Sequence, residues 1–148
     1  MAALIKYAGA YLLWIADLGL TFWLIFIIRT VYLGIFVLFY KPGAWAYSHR
    51  ADFADKVFLL SLGIGWLVFM IIVEAYFRAG ARGDDLLKRF AKVTGPVLLS
   101  IFGVDLILFW LHGVGGGNWL RWFFLAAELG FGIALFVSAR PQSKPNPT

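Results

Sequence analysis

The sequence predicts an all-α, polytopic integral membrane protein: a four-transmembrane-helix bundle with short loops, with room for interfacial helices at the N-terminus and in one loop. Three observations carry this prediction. Of 148 residues, 62% are hydrophobic and 14% charged; four apolar stretches are long enough to span a bilayer; and most charged residues sit at their borders. A soluble domain is about 45–50% apolar and about 25% charged, so this chain lacks the polar side chains to cover a water-facing surface. The same figures exclude a disordered chain. The absence of cysteine excludes a disulfide scaffold and Cys-ligated metal or thiol chemistry.

A helix rises about 1.5 Å per residue and the hydrocarbon core is about 30 Å thick, so a span takes about 20 mostly apolar residues. The first apolar region runs from Tyr7 to Tyr40, broken only by Asp17 and Arg29. The second runs from Val57 to Phe77 and holds Glu74, the third from Val93 to Leu111 with Asp105, and the fourth from Trp119 to Ala139 with Arg121 and Glu128. Residues 1–139 therefore form one four-span domain. Residues 140–148, with Pro141, Pro145 and Pro147, form a flexible tail. The first run is longer than a signal-peptide core and lacks a clear small-x-small cleavage site, which predicts an uncleaved span.

The first region is too long for one upright span: 34 residues make about 51 Å of helix. Three arrangements absorb the excess: a tilted helix, an interfacial helix before a span starting near Leu18, or an extension packed on another subunit. In the second, Tyr7, Tyr11 and Trp14 form an aromatic face at headgroup level. Lys41-Pro42-Gly43 ends this helix, and Asp52 or Asp55 caps the next. The run Asp84–Lys92 carries acids at its start, bases near its end and Leu86, Leu87, Phe90 and Ala91 on one face, the pattern of a short surface helix. Gly95-Pro96 marks a turn or kink into the third span. Gly113, Gly115, Gly116 and Gly117 form a hairpin before the fourth, followed by Trp119 and Trp122 at belt level.

If both termini share one side, that side carries eight Lys and Arg residues against four on the other, with Arg29 left inside the first span, which predicts cytoplasmic termini. The expected location is integral to a membrane of the bacterial plasma-membrane type. The bases flank spans and need no nucleic acid to explain them.

Ionisable residues inside a span cost roughly 2.5–3.5 kcal/mol on insertion scales, so each is a functional candidate until a partner accounts for it. Glu74 has Arg78 four residues on, and Asp17 falls at the cytoplasmic boundary if the first span begins near Leu18 and is central if it begins at Tyr7. Asp105 and Glu128 both lie about 16–19 Å from the glycine hairpin, and Arg29 about 18 Å from Lys41. Equal depth predicts a cluster of Arg29, Asp105 and Glu128 joining spans one, three and four, either as a packing device or as an ion pathway. His49 and His112 fall on one side of the membrane, the minimum for a shared pigment or haem. Ser61 and Gly65, and Ala126, Gly130 and Ala134, recur every four positions and suit close helix packing.

No GxSxG, HExxH or Walker lysine loop is present, and no metal site is expected. Three expectations of function follow. The first is a non-catalytic accessory or assembly subunit of a larger membrane complex, energy-converting complexes included. The second is a small transporter or ion channel using Asp105, Glu128 and Arg29. The third is a pigment- or haem-binding protein using His112 or His49. Bound lipid, quinone or pigment are the cofactors in view. The partners are the bilayer and other membrane subunits, or a second copy of the chain.

Overall fold

Where water is absent, every backbone N–H and C=O must be satisfied within its own segment, which makes the helix the form open to a long apolar run. The computed structural model has four: α1 (Ala2–Phe39), α2 (Trp45–Gly83), α3 (Leu86–Leu111) and α4 (Trp119–Ser138). It describes residues 2–39, 45–83, 85–111 and 119–139. All four helices are long and apolar enough to cross a membrane. Lys41-Pro42-Gly43, His112, the glycine hairpin and residues 140–148 lie outside the described residues.

The helices overrun the apolar stretches that predict them. α1 is one uninterrupted helix of 38 residues, about 57 Å long, with no break near Leu18 and so no separate interfacial helix. Nothing between Asp17 and Thr21 interrupts the ladder, and a single glycine there costs only about 1 kcal/mol. Tyr7, Tyr11 and Trp14 bind α2. Arg82 Nε donates to Tyr7 Oη (3.0 Å), Tyr11 Oη donates to Glu74 Oε1 (3.4 Å), and Trp14 Nε1 donates to the Met70 carbonyl (3.2 Å). α2 starts at Trp45, well before Val57, so Asp52 and Asp55 lie inside it instead of capping it.

The expected surface helix over Asp84–Lys92 is also not separate. From Leu86 onward it forms the first turns of α3, which continues through Gly95-Pro96 to Leu111. Pro96 removes only the N–H that would bond the Lys92 carbonyl, and Ala91, Thr94, Gly95 and Val97, all buried, hold both sides of it in the bundle. Arg89 fastens the α2–α3 junction. Its Nε bonds both Asp85 carboxylate oxygens (3.0 Å each), its Nη1 donates to the Tyr76 carbonyl (3.1 Å), and the guanidinium lies 4.8 Å from the Tyr76 ring centre.

α3 is the central helix. α1, α2 and α4 all adjoin it, α1 and α2 adjoin each other, and α4 adjoins α3 alone. One apolar core, of Ala10, Val73, Phe77 and Ala81, lies where the start of α1 meets the end of α2. A second, of Ile27, Val97, Ile101 and Leu108, joins α1 to α3. α3 and α4 cross at two glycines: a Cβ on Gly95 would stand 3.1 Å from the Phe136 backbone nitrogen, and one on Gly132 would stand 2.9 Å from Leu99 Cδ2. The small residues picked out by their four-residue spacing do not make this contact. Ala126, Gly130, Ala134, Ser61 and Gly65 are all exposed, and nothing lies within 4 Å of a Cβ placed on Gly130 or Gly65. Spacing identifies a smooth stripe, but the adjoining helix meets a different stripe of α4, the one that carries Leu125 and Gly132.

The crossing sets up a comparison between two glycines of one helix. Gly103→Ala, in open space, should raise stability by up to about 1 kcal/mol through helix propensity. Gly95→Ala should lose that gain, and Gly95→Val should cost about 1–3 kcal/mol because backbone must move. Unfolding midpoints of the three variants in mild detergent check this.

Candidate functional site

Three polar groupings between the helices hold the candidate residues of the spans. Arg29 of α1 meets Asp55 of α2 in a two-bonded fork, Nε to Oδ1 at 3.1 Å and Nη2 to Oδ2 at 2.7 Å. Such a fork satisfies both charges and fixes the orientation of the two helices. Arg29 therefore does not join Asp105 and Glu128, despite its matching depth. The reason is direction around the helix, where successive residues turn by about 100°. Trp23, Phe26, Ile27 and Thr30 form the stripe of α1 that faces Asp105 and Glu128, and Arg29 lies off that stripe, toward α2.

Asp105 and Glu128 do come together, with Arg121 as their neighbouring cation. They line a cleft of about 700 Å³ between α1 and α4, floored by α3. Arg121 Nη2 lies 3.7 Å from Asp105 Oδ1, and its guanidinium sits 5.3 Å from the Phe109 ring centre. Glu128 Oε2 is shielded from solvent and has no hydrogen-bond partner. The guanidinium thus stands at ion-pair distance from Asp105, too long for a hydrogen bond, while Glu128 lines the same cleft. One oxygen is left needing a proton, a cation or a donor. Arg121 and Glu128 are seven residues apart, two turns on one face of α4, and that spacing is the sequence signal by which Arg121 could have been assigned to this group.

The third place is Asp17. It is fully enclosed between the helices, with 0% of its surface exposed. Thr94 Oγ1 of α3 donates to its Oδ1 (3.1 Å), while Oδ2 has no partner. Beside it, Thr21 Oγ1 donates to the Asp17 carbonyl (2.8 Å) and accepts from Trp66 Nε1 (3.0 Å) of α2. This one locus ties together the three helices α1, α2 and α3. Asp17 and Thr21 are spaced i, i+4, so they share a face, and two polar residues on one face of an apolar helix was the available sign of an interior position. Nothing in the sequence pairs Thr94 with Asp17.

Glu74 and Arg78 do form the expected pair, at 3.6 Å. His49 lies exposed in α2, and its proposed companion His112 falls outside the described residues. Among the described residues, no group of three or more His, Asp or Glu is placed to hold a metal ion.

The chain matches no protein-family model, no curated protein and no solved structure.

What the geometry offers chemically is therefore read from the side chains themselves. The Thr94 hydroxyl does meet the Asp17 carboxylate, but both are sealed between helices. Two of the three groupings, Arg29–Asp55 and Asp17–Thr94, are direct helix-to-helix ties. The Asp105–Arg121–Glu128 cleft alone combines room for a small ion with an unfilled oxygen.

The partner assignment is checked by double-mutant cycles read from unfolding midpoints. Arg29→Leu and Asp55→Leu should each destabilise, and the double variant should recover part of the loss because neither charge is left unpaired. Arg29→Leu combined with Asp105→Leu should be additive.

Proposed function

We propose that the chain is a non-catalytic subunit of a larger membrane assembly. The observation that carries this reading is the exposed stripe Ala126–Gly130–Ala134 on α4. Apolar side chains gain little by leaving lipid for another helix, so association in a bilayer relies on close backbone approach over small residues. α4 offers such a stripe, and no helix of this chain uses it. α4 also adjoins only α3, which leaves most of its circumference to neighbours. The internal pairing of polar groups agrees with a scaffold role, since Arg29, Asp55, Asp85 and Arg89 are each engaged within the chain.

The same reading places both termini in the cytoplasm. Arg78, Arg82, Lys88, Arg89 and Lys92 gather around the α2–α3 junction. The start of α1 reaches the same end, where a Cβ on Gly9 would stand 3.8 Å from Leu86. A basic end of this kind suits the cytoplasmic side of a plasma membrane.

Extraction in mild detergent, a native gel and mass spectrometry of the bands test the assignment. The chain should migrate with other polypeptides, and Gly130→Leu should release it from them while leaving its helicity unchanged. Migration as a monomer, or with copies of itself alone, overturns the reading.

A second reading is favoured by the unfilled Glu128 oxygen: a small transporter or channel whose ion passes the Asp105–Arg121–Glu128 cleft. Arg29, engaged by Asp55, has no part in it. Purified protein in proteoliposomes should then carry a proton or cation flux that Glu128→Gln abolishes and Arg29→Leu leaves in place in any variant that folds.

A further inference from the structure

An almost wholly apolar groove lies on the opposite side of α1 from the acidic cleft. Thr21–Ile28 of α1 forms its floor, and α2 and α3 form its walls from Phe58 to Phe69 and from Lys92 to Ser100. Its volume is about 680 Å³. At 1.5 Å per residue these walls are about 12–17 Å long, half of the roughly 30 Å hydrocarbon core and so the depth of one leaflet.

The chemistry of the walls narrows the occupant. Every polar group facing the groove along its length is already engaged. Ser61 Oγ donates to the Val57 carbonyl (2.9 Å), Ser100 Oγ to the Pro96 carbonyl (2.8 Å), and Thr21 Oγ1 to the Asp17 carbonyl while it accepts from Trp66. A quinone, whose carbonyls need donors, finds none free there. The exception stands at one end: Lys92 is exposed and makes no ion pair or hydrogen bond among the described residues. An ammonium at the rim of an otherwise inert apolar channel one leaflet deep complements a molecule with an anionic head and a hydrocarbon tail.

We propose that this groove holds one acyl chain of an anionic membrane phospholipid, with the headgroup phosphate on the Lys92 ammonium. Lys92 lies two turns inside the start of α3, and its four-carbon stem lets the charge reach the headgroup plane while the stem lies along the groove. Gly65 keeps the α2 wall open, since nothing lies within 4 Å of the place its Cβ would take. The proposal rests on the bilayer placement of the helices and is independent of whether the chain works in a complex.

Native mass spectrometry of the full chain in mild detergent tests it, with phosphatidylglycerol and phosphatidylcholine of identical acyl chains as probes. The wild type should retain one phosphatidylglycerol per chain in preference to phosphatidylcholine by about fivefold, the share expected of one lysine near an anionic headgroup. Lys92→Gln should remove the preference, and Lys88→Gln, on the same helix outside the groove, should keep it. Gly65→Leu should lower occupancy by both lipids with helicity retained, and Ser61→Leu fills the same wall if Gly65→Leu does not fold. Equal retention of the two lipids by the wild type overturns the proposal, as does an equal effect of Lys88→Gln or undiminished occupancy in the filled variants. Disulfide cross-linking of Ser61→Cys to another polypeptide would also overturn it, by placing a protein helix in the groove.

Discussion

Hydrocarbon gives apolar side chains no reason to prefer a neighbouring helix to a lipid tail, so the few polar side chains of a membrane bundle decide which helices meet and how they are turned. In this chain each contact of the three-helix core carries such a tie. Arg29–Asp55 joins α1 to α2, Thr94–Asp17 joins α3 to α1, Trp66–Thr21 joins α2 to α1, and Arg89 joins α3 to the end of α2. Apolar cores fill in around them, Phe77 at one end and Ile101 further along, both almost completely enclosed.

α4 is held by a different device. Its charged link to α3 is the 3.7 Å approach of Arg121 to Asp105, too long for a hydrogen bond. What holds it is the approach of backbones at Gly95 and Gly132, where van der Waals contact over a smooth surface replaces directional bonding. The consequence is an asymmetric bundle. Because α4 leans on α3 without reaching the backbone of α1, a cleft opens between α1 and α4. Because α2 meets α3 mainly near their junction, a groove opens between those two over α1. The two openings lie on opposite flanks of α1, one holding an acid pair with its arginine and the other almost wholly apolar.

Four helices long and apolar enough to cross a membrane were legible in the sequence, because hydropathy and length carry that signal directly. Trp119 starts α4 as expected, and Asp105 and Glu128 meet because equal distance from a hairpin implies equal depth. Direction around the helix was not legible. A chain apolar on nearly all sides gives the helix period no contrast, so α1 offers no sequence cue that Arg29 turns toward α2 while Thr30 turns toward α4. The start of α2 was missed for a related reason. The segment Trp45–Lys56 is polar enough to pass for a loop, yet it is rich in alanine and in side chains compatible with a helix, and Asp55 within it is the partner that Arg29 needs.

The two carboxylates with an unfilled oxygen differ in a way that separates architecture from activity. Asp17 is sealed by α1, α2 and α3, and its Thr94 and Thr21 contacts hold those helices in place; exchange of a proton or ion at its free oxygen requires the helices to part. Glu128 lines the cleft between α1 and α4, so its side chain borders open space that Asp17 lacks. A process that repeats needs a group that can be visited and left without unfolding the bundle. Asp17, enclosed by three helices, cannot meet that condition, whereas the place of Glu128 on the cleft is compatible with it.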